Sequence, residues 1–323
     1  MTKYVIKRVL FMLLTFLIII SIAFVLIRLL PNDPPQQFGK DMQLVLQSRH
    51  RQGLIDKNGN PIPLIVQYFN FLRKTLIGFN WGLSEKLYFG QSCFEVFVSK
   101  LPSTILVNAF SSLLAVPLGL LFGIYAALKK NRWQDHVIST GVMVLVSVPS
   151  YVYGFMIQYF LCYRLKLFPV IMNAGTDYFD PDMLRSMFPA VLALSLGSIA
   201  GYARFTRAEL TEVLTSEYLL LARTKGLTKY QTTVRHALRN AMVPIFPSII
   251  SEVIAVLGGS LIIENIFVVP GVGALYVESI NTLDYNFFLL LSGFYTIIGL
   301  TAGIVVDLSY GFIDPRIRMG SKK

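Results

Sequence analysis

The sequence predicts an all-α integral membrane protein of six transmembrane helices, with a polar insert between the first two. Three observations carry this expectation. Hydrophobic residues make up 54% of the chain and charged residues only 15%, with a mean hydropathy of +0.60, far from the balance of a soluble domain. Six apolar runs, at 9–27, 104–128, 137–163, 188–205, 244–263 and 287–308, each approach or exceed the ~20 residues a helix needs to cross the hydrocarbon. Lys and Arg gather in alternate connections, at 1–8, 129–132, 204–239 and 316–323, as they do on the cytoplasmic side of a membrane protein.

Each element has its own reason. Lys3, Lys7 and Arg8 precede the first run, which is longer than a secretory h-region and lacks a small-residue cleavage site, so it reads as an uncleaved helix. The stretch 31–100 is polar and rich in proline, with amphipathic segments near 42–51 and 64–77 and a turn at Asp56-Lys57-Asn58-Gly59-Asn60-Pro61. Tyr68, Phe69, Phe71, Phe79 and Trp81 could give it a core, so it is expected to be a small folded extracytoplasmic insert. The second span carries Gly119-x-x-x-Gly123, and the fourth and sixth carry Gly197-x-x-x-Gly201 and Gly299-x-x-x-Gly303, spacings that let helices approach closely in lipid. Pro149 should kink the third span. Six spans place both termini on one side, and the distribution of Lys and Arg makes that side the cytoplasm. The basic charges of the long insert count little, because long loops translocate regardless of charge. The net charge of +11 is then accounted for by orientation and by the anionic inner leaflet, with no nucleic acid needed.

One stretch, 216–244, does not read as membrane span. Residues 217–225 are good helix formers. Gly226 stands where a helix ends in left-handed backbone, and Thr228-Lys229-Tyr230-Gln231 has the form of a capping box that starts another helix. At a period of 3.6 residues Tyr230, Val234, Ala237, Leu238 and Ala241 share one face, with Lys229, Arg235, His236 and Arg239 opposite. Two capped half-helices are more than a solvated loop requires, and they point to a docking element for a soluble partner.

The same residues resemble the cytoplasmic loop of ABC-importer permeases of the peptide/nickel class. The resemblance rests on Tyr218, Ala222, Arg223, Lys225, Gly226 and Leu227, then His236-Ala237-Leu238-Arg239-Asn240-Ala241, then Pro244. The glutamate of the wider motif would fall at Leu220 and is absent. Leu30-Pro31-Asn32-Asp33-Pro34, Gly78-Phe79-Asn80-Trp81-Gly82-Leu83-Ser84, Leu101-Pro102-Ser103-Thr104, Val269-Pro270-Gly271-Val272-Gly273 and Asp314-Pro315-Arg316-Ile317-Arg318 extend it over nearly the whole chain. It implies a type I importer permease fold, divided into 1–30 (tail and first helix), 31–100 (insert) and 101–323 (core of five helices, with a coupling loop at 207–243). It also implies a bacterial cell-membrane location and half of a pathway for peptides, which the long insert inclines toward oligopeptides. Dipeptide and nickel-chelate importers share the scaffold. The implied partners are a second homologous permease subunit, two cytoplasmic ATPase subunits that bind ATP and Mg, and an extracytoplasmic substrate-binding lipoprotein. Tyr218, Ala222, Arg223, Lys225, Gly226, Leu227, His236 and Arg239 are the implied ATPase-coupling residues.

No catalytic chemistry is expected of the chain. It has no G-x-x-x-x-G-K-[ST] to cradle ATP phosphates, no H-E-x-x-H and no G-x-S-x-G. Cys93, Cys162, His50, His136 and His236 are too scattered to suggest a disulfide framework or a metal site, and no cofactor is expected. Glu252 lies mid-span, where an ionisable group either lines a pathway or links helices. Gln158 in the third span is a second pathway candidate. Glu264 and Asp284, at the outer edge, are candidates for a gate or for contact with the binding protein. A secondary transporter is the competing class, but it would call for coupling-ion residues and an internal repeat, and neither is evident.

Overall fold

The computed structural model describes residues 2–30, 41–173, 175 and 177–313. The motif residues Pro31, Asn32, Asp33 and Pro34, and Asp314 to Arg318, lie outside the described residues. The described residues are helical, joined by turns, and contain two isolated β-bridges. Among the described residues five helices are long and apolar enough to cross a membrane, or six if the bent pair 133–147 and 150–164 forms one span. The chain forms two compact units, 1–102 with 270–301, and 103–269 with 302–323.

In the first unit, α1 (Thr2–Leu29) buries one stripe, Phe16, Ile20, Phe24 and Ile27, against Tyr68, Phe71, Trp81 and Leu289. Its other faces, including Leu10, Phe11, Leu14, Ile18 and Leu26, stay exposed. The polar stretch that follows contains α2 (Asp41–Gln52) and α3 (Leu64–Leu72), the latter closed by a π turn, Arg73–Ile77. Between them the Asp56 carboxylate accepts from Asn58 N and Asn60 N, both at 2.8 Å, and Gly59 adopts φ +84°. The Asn60 N–H, followed by its neighbours, holds this exposed carboxyl below the usual range. From the same unit, α12 (Val272–Asn281) and the first half of α13 (Tyr285–Ile313) complete a second cluster with Cys93, Val96 and Phe97.

Helix α4 (Cys93–Leu128) begins eleven residues before the expected 104. Glu95 N donates to Ser92 Oγ at its start, and Pro102, which reads as a boundary, is absorbed into the helix. The third span departs further from expectation. Val148, the residue before Pro149, is pushed to φ −88°, ψ 126°, so α5 (Trp133–Ser147) stops and α6 (Ser150–Ile157) starts afresh. The two halves, with the π turn Gln158–Arg164 finishing the second, meet at 101°, a break rather than a kink.

In the second unit, α7 (Pro181–Leu214) is longer than the expected 188–205. Asp180 caps it, Oδ2 accepting from Asp182 N at 3.0 Å and Met183 N at 3.3 Å, with Pro181 as its first residue. The fifth span does not start at Pro244. Helix runs unbroken from α9 (Lys229–Gln231) through a π turn, Thr232–Leu238, into α10 (Arg239–Ala255), with Pro244 and Pro247 inside it. It stops at Ala255, short of the expected 263. After Gly259 (φ +68°) a short α11 (Leu261–Ile266) sinks Ile263 and Phe267 into a core with Val107, Met187 and Ala193.

Candidate functional site

The stretch that sequence reasoning singled out is built as two half-helices around a fixed elbow. Helix α8 (Glu217–Thr224) is anchored by Leu219, 1% exposed in a cluster with Ala127, Leu210, Ala237 and Ala241. Asn240 Nδ2 donates to Tyr218 OH at 2.8 Å and braces α8 against α10. At its end Gly226 adopts φ +85°, Gly226 N donates to Arg223 O (3.0 Å) and Leu227 N to Ala222 O (3.3 Å). This pair of bonds is a Schellman motif, which needs the left-handed residue that glycine supplies. Two residues on, Gln231 N donates to Thr228 Oγ1 (3.2 Å) and Thr228 N to Gln231 Oε1 (3.1 Å), a complete capping box.

The face assignment within the second half-helix is corrected. Ala237 and Ala241 are buried and Leu238 packs beside them, but Tyr230 is 76% exposed and Val234 is exposed too. Thr232 and Thr233 take their place inside. A π turn carries more residues per turn than 3.6, so the projection slips across Thr232–Leu238. As a result the elbow presents Leu220, Leu221, Tyr230 and Val234 outward, with Arg223, Lys225, Lys229, Arg235, His236 and Arg239 exposed around them. Leu220, at the position of the missing motif glutamate, is an apolar knob.

The pathway candidates fall elsewhere in the second unit. Glu252 accepts from Ser198 Oγ at 3.1 Å and Ser112 Oγ at 3.4 Å, so it links α10 to α7 and α4. Gln158 Nε2 donates to Ile266 O (2.6 Å) and Val170 O (3.0 Å), tying the broken third span to the end of α11 and to the loop at Val170. The two outer-edge candidates are not surface residues. Glu264 is fully buried and accepts from Thr104 Oγ1 (3.2 Å) and Ser260 N (3.3 Å). Asp284, in the first unit, is fully buried and accepts from Ser84 Oγ (2.6 Å), Lys86 N (3.0 Å) and Leu87 N (3.1 Å). Their carboxylates organise backbone, and neither side chain is presented to a partner.

Sequence reading missed the pair between Asp135 and Arg207. Asp135, 1% exposed at the start of α5, receives Arg207 of α7 in a fork, Nε at 2.5 Å and Nη2 at 2.8 Å. Asn131 N (2.9 Å) and Ser139 Oγ (3.2 Å) complete its shell. The available signal was an acid two residues before the apolar run 137–163, just after a basic turn.

Residues 119–319 match the family described as "Binding-protein-dependent transport system inner membrane component". The chain belongs to this family. The match takes in α8, Gly226 and the capped second half-helix. Among relatives, the dipeptide transport system permease protein DppB of Bacillus subtilis is 33% identical, with both chains covered completely. The glutathione transport system permease protein GsiC of Salmonella choleraesuis is 30% identical over 98% of this chain and 99% of its own. The oligopeptide transport system permease protein AppB of B. subtilis is 27% identical with the same coverage. A chain of the MetNI methionine ABC transporter, solved in inward-facing conformations, superposes with a TM-score of 0.50 at 16% identity. It covers 67% of this chain and 97% of its own, which supports the fold alone. The chain is thus a multi-pass membrane permease component with a type I importer fold.

Proposed function

We propose that this permease forms half of the translocation pathway of an ATP-driven peptide importer. Peptides, delivered by an extracytoplasmic binding protein, are its substrate class, a reading supported by the dipeptide, oligopeptide and glutathione names of its full-length relatives. The single observation that carries the coupling role is the Gly226 elbow: two capped half-helices, anchored by Leu219 and braced by Asn240, with an apolar patch in a basic ring. Exposed apolar side chains on a rigid, rimmed mount are what a docking surface requires. The occupant we assign is a cytoplasmic ATPase subunit, one of two that supply ATP and Mg chemistry, with a second homologous permease completing the pathway. Tyr218, Ala222, Arg223, Lys225, Gly226, Leu227, His236 and Arg239 form the mount or its rim. In this reading both termini and the loop 207–243 are cytoplasmic in a bacterial cell membrane, the insert 31–100 is outside, and 101–323 is the permease core. Closure of the ATPase pair shifts the elbow, and the bundle alternates between inward-facing and outward-facing states.

The test is a mild-detergent pull-down of the tagged chain from its native membrane, paired with peptide uptake. Recovery of a second permease, an ATPase and a binding lipoprotein, with the ATPase lost on Leu220→Asp, is the expected result. Recovery of the chain alone after mild cross-linking overturns the reading.

A further inference from the structure

The Asp135–Arg207 pair lies outside the elbow yet is joined to it by continuous rigid structure. Helix α7 runs on from Arg207 to Leu214, and only Thr215 and Ser216 separate it from α8. Leu210, less than one turn beyond Arg207, is fully buried in the cluster that holds Leu219 of α8 and Ala237. A displacement of α8 is therefore felt at Arg207. The stretch of α7 around Arg207 is clasped by two neighbours in different ways. Helix α4 uses small residues: a Cβ at Gly119 would meet Tyr202 Cβ at 2.5 Å, and one at Gly123 would meet Thr206 Cβ at 2.6 Å. Helix α5 uses the fork onto Asp135. Beyond α5 the chain turns by 101° into α6, where Gly154 packs against Ile263, and the π turn after it, where Gln158 binds Ile266 O.

A buried carboxylate is a poor way to gain stability, because desolvation offsets most of its attraction, and apolar pairs of the same volume do as well. It does fix geometry: four donors reach Asp135, and the fork admits one orientation of the guanidinium. Apolar contact between α5 and α7 could slide, whereas the fork holds its register.

We propose that Asp135 and Arg207 are positioning residues for transport, the pin through which movement of the Gly226 elbow is passed from α7 to α5 and on to the α6–α11 contact. The proposal rests on the coupling reading of that elbow. It predicts that loss of the pin uncouples ATP hydrolysis from peptide movement without removing the ATPase.

The experiment uses the assembled transporter in lipid nanodiscs with its ATPase and binding protein, and reads peptide transported per ATP hydrolysed. Asp135→Asn and Arg207→Lys are expected to assemble and hydrolyse ATP while transport per ATP falls by roughly 2- to 30-fold, the span over which residues between coupled sites tune coupling. The charge swap, Asp135→Arg with Arg207→Asp, is expected to recover part of that loss. Unchanged transport per ATP in both single variants, while Gly226→Val abolishes transport, overturns the pin and leaves the elbow's role standing. Reduced amounts of complex with normal transport per assembled complex also overturn it, since a staple changes yield and not coupling. Normal transport by Gly226→Val would instead sink the coupling reading itself.

Discussion

Gly226 shows how far a single residue can be read. An ideal Cβ there meets nothing within 4 Å, so space is not what selects glycine; the φ of +85° is. Left-handed backbone costs an L-residue roughly 1–2 kcal/mol, more for a β-branched one and less for asparagine, which bonds locally. Transport should therefore fall strongly in Gly226→Val and survive in Gly226→Asn, with equal levels of protein in the membrane; uptake by the two variants side by side decides it. Thr228 and Gln231 were legible for the same reason, since a capping box is written in four consecutive residues. Glu264 and Asp284 were not, because their partners Thr104 and Ser84 lie 160 and 200 residues away in sequence. Asp56 permits a pH statement. Its folded carboxyl is held below the unfolded value of about 3.9, so it stabilises the 56–60 turn above that pH and ceases to as pH falls through the folded value. Amide exchange at Asn58 and Asn60 should stay slow at neutral pH, allowing for the intrinsic rate, and lose protection only in strong acid.

At the scale of elements, the apolar runs were legible and their ends were not. The runs announce themselves by composition, but prolines marked the ends badly. Pro102, Pro244 and Pro247 sit inside helices, whereas Pro149 breaks one completely. The difference lies in the preceding residue: Val148 leaves the helical region and its neighbours do not follow it back. The three G-x-x-x-G spacings also divide. Gly119 and Gly123 press on α7, while Gly201, Gly299 and Gly303 have nothing within 4 Å of an ideal Cβ. Gly123→Ala must displace Thr206 or the Ala203 carbonyl, 2.7 Å from the new carbon, at a cost of about 1–3 kcal/mol. Gly201→Ala should cost nothing measurable. Thermal unfolding of the two purified variants, compared with the parent, tests this pair.

For the whole molecule, composition and charge gave the class, and motif spacing gave the family, but the two-unit division was invisible. It depends on a return of the chain: 270–301 packs with 1–102. Asp284 is a main tie in that return, because it accepts three hydrogen bonds from 84–87, and Asn286 Nδ2 donates to Leu83 O at 2.8 Å. Asp284→Ala strands the buried Ser84 hydroxyl, at about 1–3 kcal/mol if it is left without a partner, and frees the part-buried Lys86 and Leu87 N–H groups. The insert should then be cut by protease under conditions where the parent resists, while α7 to α10 stay protected; equal cleavage of both proteins would show the tie to be dispensable.

The same return sets a timetable for biosynthesis. Phe16, Ile20 and Phe24 on α1 wait for Leu289, and all of 103–269 is translated in between. At ~5–20 residues per second the wait from Phe24 to Leu289 is on the order of ten to fifty seconds. For that time the inner stripe of the first helix has Tyr68, Phe71 and Trp81 to cover part of it, and is a nascent client for whatever insertase or lipid can shield the rest, until the last span arrives.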